Sequence, residues 1–168
     1  MCPAWKERLD RLTPAASRRV GIVWAGRPTH NNDRWRSARL ADFAPLAALP
    51  AIVFVSLQKG PAAAQAGEYF GAAPMVNVGA EIADYEDTMA ILDSLDMVVT
   101  VDTSVGHVAG ALGCKAIVLL ARAPDWRWLL DRTDTPWYPS LRLVRQTTTG
   151  VWTDVMAKAA ALVAETDA

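Results

Sequence analysis

Six consecutive residues in the middle of the chain combine the types that bind anions. Thr103 and Ser104 offer hydroxyls and main-chain N–H groups at the start of a predicted helix, where the helix dipole favours negative charge. His107, one turn later, is placed to donate a hydrogen bond to a phosphate oxygen, and Gly106 leaves room for a ligand to approach. Asp102 ends the preceding strand, where it can hold the loop or accept a hydrogen bond from a ligand hydroxyl.

These residues also have an ordinary structural interpretation. Thr103 can simply cap the helix, the glycines can serve packing, and His107 can be an interior histidine with its hydrogen bonds satisfied. Without further evidence the structural interpretation is the better one. A second polar segment changes the balance in favour of binding.

That second segment runs from Gly26 to Arg39 and is strongly cationic. After Gly26 it contains Arg27, Arg34, Arg36 and Arg39, with His30, Asn31, Asn32 and Ser37, against one acid, Asp33. A guanidinium fork suits phosphate because it binds two oxygens at once, although some of these arginines will only be solvated. A cationic loop and a helix N-terminus in one crevice predict a phosphorylated ligand, with Gly26, Arg34, Arg36 and Ser37 among its contacts.

Two weaker candidates lie in other loops. Lys59 follows an apolar run and could neutralise a phosphate, although an exposed loop lysine is common. Trp126, Trp128 and Trp137 are three of the seven tryptophans and fall in one short segment. A tryptophan face can stack on a sugar or a base, but burial of its large apolar area is the better interpretation.

Composition excludes several other classes of protein. Lys and Arg number 17 and Asp and Glu 18, so the net charge of -1 gives no general attraction for nucleic acid or an anionic membrane. No apolar stretch approaches the roughly 20 residues of a membrane span, and the charged N-terminus does not resemble a signal peptide. Cys2 and Cys114 are too few for a disulfide framework and lack metal-site spacing. We therefore expect a cytoplasmic protein with no metal site.

The elements that must position these segments alternate between strand and helix. Apolar runs predict six strands, at Arg19–Ala25, Ala51–Leu57, Met75–Val78, Met97–Val101, Lys115–Leu120 and Leu141–Arg145. Helices are predicted between them, with Asp42, Asp84 and Thr103 as caps and a final helix from Thr153 or Asp154. The alternation predicts an α/β fold with a doubly wound parallel sheet. With strand order 3-2-1-4-5, the two polar loops meet at the point where the order reverses.

Four motifs together resemble the C-terminal lobe of bacterial GT-B glycosyltransferases, of the kind often fused to tetratricopeptide repeats. They are Val20–Gly26, Phe54–Gly60, Val101–His107 and Ala123–Trp128. The lobe is also similar to that of the ADP-heptose heptosyltransferases, in which an Asp-Thr/Ser-x-x-x-His motif faces the donor diphosphate. The resemblance implies a six-stranded Rossmann-like domain that binds a nucleoside-diphosphate sugar, with no other cofactor. By this resemblance the helix at Thr103–His107 binds the diphosphate, and Lys59 and the arginine loop assist.

The resemblance also implies a role for each part of the chain and for a lobe outside it. Residues 1–18 become an interlobe linker or N-terminal helix, and residues 19–168 become the nucleotide-sugar-binding domain. Inverting members take the catalytic base from an N-terminal lobe, so we expect donor binding without independent transfer, and a missing acceptor lobe or partner protein. Two alternatives stay open: a non-catalytic interaction or self-association domain that uses the Trp-rich segment, and an epimerase or phosphohydrolase with Asp102 and His107 as an acid–base pair.

Overall fold

Six strands form one sheet in the computed structural model, which describes residues 3–165. The strands are β1 (Arg18–Val23), β2 (Ile52–Ser56), β3 (Met75–Asn77), β4 (Met97–Val101), β5 (Ala116–Leu120) and β6 (Leu141–Arg145). The α-helices are α1 (Pro3–Leu12), α2 (Asp33–Arg36), α3 (Ala44–Ala47), α4 (Tyr85–Leu92), α5 (Ser104–Ala111) and α6 (Thr153–Glu165). Three 3-10 turns lie at Leu40–Phe43, Pro61–Glu68 and Trp126–Trp128.

The sheet is parallel throughout and its strand order is β3-β2-β1-β4-β5-β6. Val20 of β1 lies beside Phe54 of β2 on one side and Met97 of β4 on the other. The predicted doubly wound α/β fold is therefore confirmed, with β6 added at the edge. Because the strand order reverses between β1 and β4, a crevice opens at their carboxyl ends.

Helices cover both faces of the sheet, and this explains the continuous apolar runs. Every residue of β2, β4 and β5 is buried, as expected for parallel strands between two helical layers. On one face α6 packs over side chains such as Trp24 and Phe54. On the other face α4 and α5 pack over a cluster that includes Leu9 and Trp128. Packing is thus the confirmed interpretation for Trp128, which is only 1% exposed.

The predicted caps behave differently from one another. Asp84 caps α4 as expected, because its carboxylate accepts hydrogen bonds from the N–H groups of Glu86 and Asp87 at 2.8 and 3.0 Å. The prediction that Asp42 caps a helix is wrong. The chain turns earlier, at the buried Leu40, and the Asp42 carboxylate instead accepts from the main-chain N–H of Arg39 at 2.8 Å.

Helix α1 covers most of the segment predicted to be an interlobe linker. Trp5 and Leu9 are buried against the face that carries α4. The Trp5 indole donates a hydrogen bond to Asp87 of α4 at 2.7 Å, and Arg8 forms an ion pair with Glu81 at 2.6 Å. The helix is therefore packed on the domain, and the linker role of residues 1–18 stays a prediction.

Candidate functional site

A cleft of about 910 Å³ opens at the carboxyl ends of β1, β2 and β4. Its volume lies in the range of small-molecule sites. Of the residues predicted to contact a ligand, the cleft is lined by Gly26, Arg36, Lys59, Thr103 and Ser104. The crevice expected from strand order therefore exists, and five of the ten predicted contacts line it.

The N-terminus of α5 faces this cleft without a side-chain cap. Thr103 occupies the N-cap position, but its hydroxyl lies 3.0 Å from the hydroxyl of Thr100 and makes no capping bond. Thr103 is thus the N-cap residue at the predicted helix start, but its side chain does not cap the helix. The first N–H groups of an α-helix have no partner within the helix. Those of Ser104 and Val105 can therefore donate hydrogen bonds to an acceptor bound in the cleft.

Gly106 serves packing beneath the cleft. It is buried, and a Cβ atom at this position would lie 3.3 Å from the Thr100 side chain. That spacing is tight, so the missing side chain lets α5 lie close to β4. Gly106 does not line the cleft.

Arg36 forms one wall of the cleft in a fixed position. Its Nη1 donates to the main-chain oxygen of Asp102 at 2.8 Å, and its Nε lies 3.5 Å from a carboxylate oxygen of Asp33. The guanidinium packs directly on Gly26, where a Cβ atom would come within 2.4 Å of Nη2. The glycine thus lets the guanidinium lie against the main chain at the cleft, and a side chain at this position would displace the end of Arg36.

Ser37 and Arg34 belong to the same loop but not to the cleft lining. The Ser37 hydroxyl accepts a hydrogen bond from the N–H of Gly26 at 2.9 Å and donates to Asp33 at 2.8 Å. It therefore shapes the loop. Arg34 is exposed, with its guanidinium carbon 4.9 Å from the centre of the Trp35 ring.

Arg27 is an exposed cation of the cleft wall. Within residues 3–165 its side chain has no hydrogen bond and no ion pair. Sequence reasoning noted it as part of the arginine loop without selecting it as a contact. Its position directly after Gly26, at the end of β1, was the available signal, since ligands of such sheets bind beyond the carboxyl ends of the strands.

Lys59 is held at the cleft by two neighbours. Its ammonium donates a hydrogen bond to the main-chain oxygen of Ile82. The preceding residue, Gln58, is 2% exposed, and its Oε1 accepts from the N–H groups of Trp24 and Ala25 at 3.0 and 2.9 Å. Its amide nitrogen donates to the oxygens of Ala25 and Lys59 at 3.0 and 2.8 Å. Gln58 therefore joins the ends of β1 and β2 and fixes the loop that carries Lys59.

His107 lies one turn into α5, outside the cleft lining. Its ring stacks on Trp128 with centroids 4.9 Å apart, and its Nδ1 lies 3.3 Å from the hydroxyl of Tyr138. The Nε2 atom has no hydrogen-bond partner within residues 3–165. No hydrogen bond joins His107 to the Asp102 side chain there, so the acid–base pair has no support in the geometry. A phosphate contact of His107 stays a prediction.

A third wall of the cleft comes from the β3–α4 connection, which sequence reasoning missed. It includes Ile82, Ala83 and the exposed ring of Tyr85. The signal was available in the strand order, because β3 lies beside β2 and its following loop reaches the same edge. The hydrogen bond from the Trp5 indole holds the pKa of Asp87 below its ordinary value, and the second oxygen of Asp87 accepts from Ala83 N–H at 2.8 Å. That carboxylate therefore anchors the wall.

Two expectations about composition can be compared with the described part of the chain. Among residues 3–165 no group of histidine, cysteine or acidic residues could hold a metal ion. In the same range, no helix combines the length and the apolar character needed to cross a membrane.

Comparison with known proteins gives one family. Protein FlbA of Caulobacter vibrioides is 29% identical over 160 residues, which cover 93% of this chain and 26% of that protein. The structure of E. coli ADP-heptose LPS heptosyltransferase II matches all of this chain and 54% of its own, with a TM-score of 0.69 and 16% identity, and so shares the fold. The chain thus spans about a quarter of the length of the first and half of the second. Residues 52–159, well over half of the chain, match glycosyltransferase family 9 (heptosyltransferase), and the chain belongs to that family.

Proposed function

We propose that this chain is the donor-binding, C-terminal lobe of a GT-B glycosyltransferase and that its cleft binds the diphosphate of a nucleoside-diphosphate sugar. The observation that carries the proposal is the uncapped N-terminus of α5, which opens into the same cleft as Arg27, Arg36 and Lys59. Free N–H groups and cations on several sides of one cleft form a site for a multiply charged anion.

The remaining walls of the cleft suit the rest of such a ligand. Val23, Leu57 and Ile82 present apolar surface, which fits the face of a base or a sugar. Tyr85 is 58% exposed at the start of α4 and can stack on a ring. Diphosphate, sugar and base thus each have a surface of matching chemistry in one cleft.

Each predicted site residue has a role in this proposal. Thr103 and Ser104 present the amides of α5, while Arg36 and Lys59 supply positive charge from the neighbouring loops. Gly26 and Ser37 shape the arginine loop. The main-chain oxygen of Asp102 accepts the hydrogen bond that holds Arg36, and Gly106 lets α5 pack closely on the sheet. Arg34 contributes charge from outside the lining, and His107 would reach the phosphate through Nε2.

We propose that transfer of the sugar requires residues from outside this chain. The domain matches about half of a heptosyltransferase, which supports a second lobe or a partner protein that contributes the acceptor site and the catalytic base. Residues 1–18 then join the lobes and residues 19–168 bind the donor. We also propose that the whole protein carries tetratricopeptide repeats, as the resemblance implies. The low cysteine content favours a cytoplasmic location.

Titration with UDP, GDP, ADP and their sugars, followed by amide NMR and calorimetry, tests donor binding. We expect saturable shifts at Ser104 and Val105 with at least one nucleotide. Arg27→Gln should weaken the binding of that nucleotide, whereas Arg11→Gln, an equal change of charge at an exposed position of α1, should not. The absence of shifts at these amides at millimolar nucleotide would contradict the proposal.

A second candidate function has its own observation. Trp126 and Trp137 in the β5–β6 loop are 67% and 56% exposed, unlike Trp128 in the same loop. Exposed aromatic residues are frequent in protein interfaces, so this loop favours a self-association or interaction domain as the alternative. Light scattering over a range of concentrations tests it, and a monomer at all concentrations would count against self-association.

A further inference from the structure

A second groove, of about 930 Å³, lies along β6 and shares no lining residue with the cleft. Its walls come from the β5–β6 connection, from β6 itself and from α6. Apolar side chains, including Leu130 and Leu143, form part of it. The groove thus has the size of a small-molecule site and is separate from the cleft assigned to the donor.

Positive charge dominates the groove. Five cationic residues line it: Arg122, Arg132, Arg142, Arg145 and Lys158. Asp131 is the one carboxylate among the lining residues, and Asp134, outside the lining, is already bound by Arg132 at 2.8 and 2.9 Å. With Arg132 paired, four cations and one carboxylate remain in the lining. In a protein of net charge -1, this is a local excess of positive charge that a bound anion would offset.

Two of these cations interact with nearby carboxylates only through longer-range electrostatics, Arg142 with Asp134 and Lys158 with Asp154. Arg142 projects from β6 and Lys158 from α6, and both are exposed. Within residues 3–165 neither side chain makes a hydrogen bond or an ion pair. They line the groove from two different elements, so a ligand between them can receive hydrogen bonds from both.

Two residues that line the groove each carry a buried nitrogen donor without an acceptor. Gln146 is 2% exposed, and its amide nitrogen has no hydrogen-bond partner. Its Oε1 accepts from the N–H of Gly150 at 3.0 Å, which fixes the orientation of the amide. Nη1 of Arg145 is also buried without an acceptor, whereas Nη2 donates to the oxygens of Trp128 and Leu129 at 3.2 and 3.0 Å.

Buried donors are normally satisfied, so unmet ones point to an acceptor that a ligand supplies. The two unmet atoms in lining residues are both nitrogen donors, one in an amide and one in a guanidinium, whereas the unmet carboxylate oxygen of Asp154 belongs to a residue outside the lining. Burial lowers the pKa of Arg145, opposed by the nearby Asp131. A bound anion would favour the charged form of this guanidinium in the same direction as Asp131 does.

We propose that this groove binds a phosphorylated small molecule with at least two negative charges, held by Arg142, Lys158, Arg145 and Gln146. Phosphate suits the site because it offers only acceptors, several on one centre, and matches both guanidinium and ammonium donors. The apolar walls receive the uncharged part of the ligand. The site is distinct from the cleft assigned to the donor, since the two share no lining residue.

NMR titration of the whole chain with pyrophosphate tests the proposal. We expect saturable shifts of the Gln146 side-chain amide and of the main-chain amides of Leu143–Thr147. Shifts confined to Ser104 and Val105 would overturn the proposal, because pyrophosphate would then bind only the cleft.

A pair of matched double variants gives the second measurement. Arg142→Gln/Lys158→Gln should weaken the affinity for pyrophosphate, measured at the Gln146 amide, about tenfold, the effect of losing two solvent-exposed ion pairs. The affinity measured at the Ser104 amide should stay unchanged. Lys6→Gln/Arg11→Gln on α1 also removes two positive charges and should leave both affinities unchanged. Equal weakening by both double variants, or no weakening by the first, would overturn the site.

Discussion

The guanidinium of Arg36 donates a hydrogen bond to the main-chain oxygen of Asp102 across 2.8 Å and joins the loop after β1 to the loop after β4. The two residues are 66 positions apart in the chain and meet because β1 pairs with β4. The bond holds a cation beside the open N-terminus of α5. One side chain therefore both positions the cleft and contributes to its charge.

Arg36→Lys should weaken binding of a nucleoside diphosphate by about tenfold, or about 1.4 kcal/mol. Lysine keeps the charge but lacks the planar fork that reaches Asp102 and Asp33 together. Calorimetric titration measures the loss. Arg34→Lys makes the same change at an exposed position of the same loop and should cost less than about twofold, so equal losses would contradict a special role for Arg36.

Gly26→Ala should affect the same contact from the other side. The new Cβ atom would lie 2.4 Å from Nη2 of Arg36, so the end of this flexible side chain must move. We expect a small loss of stability, less than about 1 kcal/mol, and a loss of nucleotide affinity similar to that of Arg36→Lys. In the double variant the two affinity losses should not add, because both act on one guanidinium. Additive losses in this cycle would show that Gly26 acts independently of Arg36.

The strands and their order followed from the sequence because the apolar runs are short, continuous and separated by helical stretches. Met97–Val101 and Leu141–Arg145 were predicted with their observed bounds. The loops were less predictable. Composition alone could not show that Arg36 is anchored at the cleft while Arg34 lies on Trp35. That difference depends on hydrogen bonds to residues far along the chain.

Hydrogen bonds that residue type does not predict also explain the other differences at the candidate site. Thr103 has the residue type of a helix cap, but Thr100 on β4 binds its hydroxyl instead. Gln58 lies in the Phe54–Gly60 motif, but its positioning role was not predicted, because that role comes from main-chain partners that directly follow β1. Residue type and spacing therefore identify the polar loops, whereas the role of each side chain depends on which loop the fold places opposite.

Asp87→Asn should change the dependence of stability on pH. The Trp5 indole and the Ala83 N–H bind the ionised carboxylate and lower its pKa in the folded protein from the ordinary 3.8. A lowered pKa gives stability that is present above the ordinary value and is lost as the pH falls through the folded-state value. The variant should therefore have a lower Tm at pH 7, and the gap to the unsubstituted protein should narrow below about pH 4.

Thermal unfolding followed by circular dichroism between neutral and acid pH measures this gap. Asp93→Asn, at an exposed position directly after α4, is the matched control and should give a small gap at every pH. A gap for Asp87→Asn that stays constant as the pH falls would show that the Trp5 contact is not linked to ionisation.

His107 offers the sharpest test, because packing and phosphate binding make different predictions for two substitutions. His107→Ala removes the stack on Trp128 and should lower the free energy of unfolding by about 1–2 kcal/mol. His107→Phe keeps an aromatic ring on Trp128 and should retain most of that stability. Both variants lack the Nε2 donor, so if the histidine contacts the diphosphate, both should weaken nucleotide binding by about 1–3 kcal/mol.

Chemical denaturation and calorimetry on the same samples separate the effect on stability from the effect on nucleotide binding. His30→Ala, at the other histidine of the chain and in an exposed loop, should change neither quantity much. Full nucleotide affinity in His107→Phe would remove His107 from the binding site and leave it as a packing residue of α5.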